Sequence, residues 1–149
     1  MKRFLSILFT ALICLSIFAT FVYAADAADY TEVTLTGNND GRSGLLATSA
    51  RDYYVTAKVK FTVKPNTPAY SIDTETILQK KTLLFFYSDV KSFVITDGVT
   101  VQNALSTTQS IEYRKSGYTG TLDDGDYYFY HKVDGSCNAI TQTFTTIYS

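Results

Sequence analysis

Residues 53–64 alternate between apolar and polar side chains without a break. Tyr53, Val55, Ala57, Val59, Phe61 and Val63 hold one parity; Tyr54, Thr56, Lys58, Lys60, Thr62 and Lys64 hold the other. A period of two puts one set on a buried face and the other in water, which predicts a half-buried strand. A helix would instead scatter the lysines around its axis. Pro65-Asn66-Thr67-Pro68 ends the strand, because proline removes ladder donors.

Further strands are predicted at residues 31–36, 70–79, 110–114, 127–133 and 140–148. In the last of these, Ile140, Gln142, Phe144, Thr146 and Tyr148 share one parity. Leu83-Leu84-Phe85-Phe86-Tyr87 is a continuous apolar run, a length that suits a strand covered on both faces. Phe93-Val94-Ile95-Thr96, then Asp97-Gly98, then Val99-Thr100-Val101 reads as a hairpin with a type I′ turn. Gly37-Asn38-Asn39-Asp40-Gly41 is a turn cluster. Residues 45–50 fit either a short helical turn or an irregular edge. The expected fold class is all-β: a single antiparallel β-sandwich of about eight or nine strands, forming one domain.

The first 25 residues differ from the rest. After Met1-Lys2-Arg3, residues 4–25 carry no charge, and Val22-Tyr23-Ala24 offers the small residues a signal peptidase reads. Residues 1–24 are therefore expected to be a signal peptide and residues 25–149 a secreted β-sandwich domain. The alternative is an uncleaved segment that anchors the protein, since the stretch approaches the ~20 residues that span a bilayer. Cys14 is not preceded by the small residues of a lipidation site. It would leave with the leader, making Cys137 the only thiol, with no internal disulfide partner.

Composition narrows the function. The chain has 149 residues, 46% of them hydrophobic, with 13 basic and 14 acidic side chains. Loss of Lys2 and Arg3 with the leader leaves 11 basic against 14 acidic, a net charge of −3. That balance argues against nucleic-acid binding, which needs a basic face. The apolar content excludes disorder.

Leu122-Asp123-Asp124-Gly125-Asp126-Tyr127-Tyr128-Phe129 resembles the tyrosine corner of immunoglobulin-like sandwiches. Asp123, Gly125 and Tyr127 fall at the spacing of that turn, and Phe129 stands where antibody domains place a core cysteine. The chain has no tryptophan and no disulfide pair, so the likeness is to the broad class. It implies a Tyr127 hydroxyl bonded to upstream backbone, within an immunoglobulin-like topology; a jelly roll or another sandwich is the competing arrangement.

If Tyr127 and Phe129 face inward, so do His131 and Val133, and Tyr128, Tyr130 and Lys132 face out. Two tyrosines and a lysine on one strand face could stack on a sugar ring or anchor a protein. Tyr54, with Lys58 and Lys60, would join that face if its strand lay nearby. Cross-strand packing is the plainer explanation of the same residues.

Catalytic groups are sparse. His131 is the only imidazole, and no Gly-x-Ser-x-Gly elbow accompanies it. Asp73 and Glu75 share a strand face as a glycosidase pair would, but read more simply as a solvated face. Asp123, Asp124 and Asp126 could hold calcium only weakly. No enzyme activity, metal or cofactor is expected. The leading expectation is a secreted, non-enzymatic binding or surface-interaction module whose partner is a cell-surface protein or glycan. The alternatives are a secreted toxin or bacteriocin-like protein with transient membrane contact, and a structural envelope protein assembling through strand edges.

Overall fold

The computed structural model describes residues 29–46 and 50–149. The expected signal peptide and residues 47–49 of the ambiguous stretch lie outside them. Eight strands run in order: β1 (Asp29–Thr36), β2 (Gly41–Arg42), β3 (Arg51–Val63), β4 (Thr67–Leu83), β5 (Phe86–Asn103), β6 (Gln109–Leu122), β7 (Tyr127–Asp134) and β8 (Ile140–Tyr148). They form two four-stranded antiparallel sheets, ordered β1-β8-β3-β6 and β2-β7-β4-β5.

The all-β sandwich is as expected, but the topology is not the immunoglobulin one. That fold keeps sequential hairpins within a sheet, as in its ABED strand order. Here the first and last strands pair, as do β2 with β7 and β3 with β6, and every connection except β4–β5 crosses between the sheets. Eight strands in this order make a jelly roll. The corner turn is a local device that either topology can use, which is why its residues did not decide between them.

The alternation in β3 is realised at its apolar positions, with Thr56 of the polar parity buried as well. Val55, Ala57, Val59, Phe61 and Val63 are fully buried, and Tyr54 and Lys60 are exposed. The core divides into two clusters. Ala57, Phe61, Ile72, Val133 and Phe144 belong to one; Val55, Leu78, Phe93, Phe129 and Tyr148 belong to the other. Between them along β4, β7 and β8 sit Thr76, His131 and Thr146, all buried. The register pairs Thr76 with His131. A polar belt therefore separates the two clusters, and Thr74, Thr96 and Gln142 are buried outside it.

Two predicted features take another form. Asp97-Gly98 is not a hairpin turn, since β5 runs straight through it. Gly98 has φ +59° at a register shift between Ile72 and Thr74, and its N–H donates to the Asp73 carboxylate. A bulge needs the same left-handed glycine as a type I′ turn, so the dipeptide alone cannot distinguish them. The second is the apolar run. Leu83 and Phe86 pair at the end of the β4–β5 hairpin, Leu84-Phe85 is the turn, and none of the four is buried. The last β4 residue paired to β7 is Lys80, so among the described residues no second strand pairs with the hairpin beyond it.

A buried amide that sequence did not flag fixes the opposite end. Asn103 donates from Nδ2 to the carbonyls of Val63, Lys64 and Thr107 at 3.1, 3.1 and 2.7 Å, and its Oδ1 accepts from Leu105 N–H at 2.9 Å.

Candidate functional site

The outer face of the β2-β7-β4-β5 sheet carries the ordered surface of the domain. β7 alternates as its sequence implies: Tyr127, Phe129, His131 and Val133 are buried, Tyr128 and Tyr130 are half-buried, and Lys132 is exposed. Register places Arg42 beside Tyr130, Ile77 beyond Tyr130, and Gln79 beside Tyr128. Ile77 and Gln79 point outward yet are only 2% and 8% exposed, so neighbouring side chains on this face cover them.

Arg42 organises that cover. Its guanidinium carbon lies 3.6 Å from the centre of the Tyr87 ring and 5.2 Å from that of Tyr130. Nε and Nη2 both donate to Gln79 Oε1, at 3.2 and 3.0 Å. Gln79 Nε2 donates in turn to Asp89 Oδ1 at 2.7 Å. Tyr87 meets Tyr128 edge to face with ring centres 5.5 Å apart. The Tyr130 hydroxyl donates to Asp40 Oδ2 at 2.9 Å, while Asp40 Oδ1 accepts from the Val133 N–H. Burial, and then the hydrogen bond to Asp40, raise the Tyr130 pKa above the usual phenol value. Three rings and a cation are thus held by hydrogen bonds and cation–π contacts instead of swinging freely.

Next to this array a shallow groove of about 370 Å³ is lined by Asp73, Glu75, Asp97, Asp134 and Lys132, among others. Lys132 Nζ reaches Glu75 Oε2 at 3.9 Å, an exposed pair that contributes little stability. The groove has more acids than bases.

Tyr54 does not join this face. It belongs to β3 in the other sheet and projects from the opposite side of the sandwich, beside Ser149, with which its backbone exchanges two hydrogen bonds. Tyr127 is inward, and its hydroxyl donates to the Asp123 carbonyl at 2.9 Å, closing the corner. Gly125 there has φ +150°. Asp124 accepts from the Ala50 N–H at 2.7 Å. Among the described residues no group of three or more His, Cys, Asp or Glu side chains is placed to hold a metal ion.

Sequence reasoning missed Arg42, Tyr87, Gln79, Asp89 and Asp40. Gln79 shares the outward parity of Asp73 and Glu75, a signal that was present. Arg42 sits in a two-residue strand amid turn residues, where no periodicity could point to it.

His131 lies in the core. It is fully buried, stacked on Phe144 with ring centres 4.5 Å apart, and its Nδ1 is 2.9 Å from Thr76 Oγ1. Burial pushes its pKa down to about 4. Cys137 is half-buried near Tyr70 and packs on the cluster that holds Phe144.

No protein-family model and no curated protein matches the chain. Solved structures do. The acid-stable capsid of Helicobacter pylori bacteriophage KHP30 aligns over 81% of this chain and 86% of its own, at 14% identity and a TM-score of 0.40. A chain of infectious bursal disease virus, Gx strain, aligns over 83% of this chain and 34% of its own, at 8% identity and 0.39. A family 16 carbohydrate-binding module aligns over 78% and 74%, at 15% identity and 0.27. The strand order, not these distant likenesses, defines the class: a jelly-roll β-sandwich with a pre-ordered tyrosine–arginine surface on one sheet.

Proposed function

We propose that this protein is an exported, non-enzymatic binding module that takes a neutral glycan on the outer face of the β2-β7-β4-β5 sheet. The observation that carries this reading is Arg42, pinned between Tyr87 and Tyr130 and bonded through Gln79 to Asp89. A platform fixed before the ligand arrives loses less side-chain entropy on binding. Tyrosine faces stack on the apolar faces of sugar rings, and the carboxylates of the adjoining groove accept hydrogen bonds from hydroxyls. The acidic groove disfavours anionic sugars.

The test is capture on insoluble polysaccharides and a glycan array, with Tyr128→Ser/Tyr130→Ser against Tyr54→Ser as the control on the far sheet. Loss of two aromatic anchors should weaken capture about tenfold or more. Tyr54→Ser should leave it unchanged. Equal capture by the double variant, with its circular dichroism preserved, would remove this face from the account. A wild-type protein that retains no glycan would remove the ligand class.

A further inference from the structure

Past Lys80 the β4–β5 hairpin continues without β7. Lys81 pairs with Tyr87, Leu83 pairs with Phe86, and Leu84-Phe85 makes the turn. Leu83, Leu84, Phe85 and Phe86 are 69%, 79%, 85% and 67% exposed. Tight hairpin turns are normally built from Asn, Asp and Gly, which tolerate positive φ. Neither turn residue here is of that kind, and neither has positive φ. Four large apolar side chains at a projecting tip therefore serve neither the turn nor the core. Clustered exposure of this kind marks a contact surface.

We propose that this tip inserts into the headgroup and upper acyl region of a phospholipid bilayer. Three observations select a bilayer as the occupant. The first is the order of side chains: Lys81 precedes the tip, Tyr87 comes after it, and no carboxylate occurs from Lys80 to Ser88, while Lys80 itself lies over the Tyr127 ring. Lysine stems can lie along apolar material while their ammonium groups stay with phosphates, and tyrosine suits the boundary between the two. The second is the path of the chain. Residues 1–28 join the domain at Asp29, which pairs with Tyr148, at the end of the sandwich where β6 leaves through Leu122, β7 begins at Tyr127 and Lys80 pairs with it. In the uncleaved form, the uncharged residues 4–25 thus connect on the same end as the tip. The third is size. Four side chains on a narrow hairpin fall short of the ~800 Å² per partner that a stable protein–protein contact buries, whereas a bilayer needs only a knob to enter it. The proposal does not rest on the glycan reading and stands or falls separately.

The chain has no tryptophan, so one introduced residue reports alone. Full-length Phe85→Trp is mixed with vesicles of phosphatidylcholine, with and without phosphatidylglycerol. Thr100→Trp, exposed near the opposite end of β5, serves as the control. The expected result is a shift of Phe85→Trp emission to shorter wavelength, quenching by brominated lipid, and a stronger response with phosphatidylglycerol. Thr100→Trp should not respond, and adding Leu84→Asp to Phe85→Trp should abolish the shift. Unchanged emission with both vesicles overturns the proposal. So does an equal response at Thr100→Trp, which would mean general adsorption. A shift that depends on protein concentration without lipid also overturns it, in favour of a second copy.

Discussion

Acidification should weaken this fold through one residue. His131 is fully buried, bonded only through Nδ1 to Thr76, and its Nε2 meets no hydrogen-bond partner among the described residues. Charging the ring would place a cation in a belt between two apolar clusters. Its pKa in the folded protein is therefore near 4, against an ordinary 6.5 in the unfolded chain. Between these values the unfolded state binds a proton that the native state refuses, so stability rises with pH across that window. The contribution is fully present above about pH 6.5, declines as pH falls, and levels off below about pH 4. At about 1.4 kcal/mol per pH unit the full loss is about 3 kcal/mol, a large fraction of a stability of roughly 6–18 kcal/mol for a domain this size. The assay is urea unfolding from about pH 7.5 to about pH 4, on the wild type and on His131→Gln. Contributions common to both proteins cancel in the difference. The variant should lose stability at neutral pH from imperfect packing, and its penalty should shrink by about 3 kcal/mol on acidification. A difference that stays flat with pH would show that the imidazole reaches water, and the belt would have to be rethought.

Two further predictions concern structure away from the proposed surfaces. Tyr127→Phe keeps the buried ring and deletes only the hydroxyl bonded to the Asp123 carbonyl; it should cost about 0.5–1.5 kcal/mol in chemical denaturation, and wild-type stability would mean the bond contributes nothing. Asn103→Ala strips three carbonyls and one N–H of their shared partner, and should cost about 2–3 kcal/mol, with faster hydrogen exchange at Leu105; a cost under about 0.5 kcal/mol would show that water replaces the amide freely.

The features legible in the sequence were those that period two controls. β3, β7 and β8 each bury one parity, and the inward set in β8 includes Gln142 and Thr146, which composition alone would have sent to the surface. Strand order was beyond reach, because the pairing of β1 with β8 joins residues more than a hundred positions apart and no local signal encodes it. Side-chain chemistry fared similarly. Tyr128, Tyr130 and Lys132 were placed on one outward face by alternation, whereas Tyr54 shares their pattern but lies across the core. The apolar run at Leu83–Phe86 misled because hydrophobicity normally reports burial. Here it falls just where the sheet runs out of partners, and only the register with β7 shows this.

Tyr87 links the two surfaces proposed for this molecule. It comes directly after Phe86, and its ring carries the Arg42 guanidinium on one side and meets Tyr128 edge to face on another. The hairpin tip and the tyrosine platform are therefore successive parts of one ladder, not separate patches. A domain held at a bilayer by Leu84 and Phe85 would keep the platform within a few residues of the headgroups along the ladder, roughly 3.3 Å per residue. Glycans displayed on that membrane would then meet the platform at a high effective concentration, and weak individual contacts would suffice for lasting attachment.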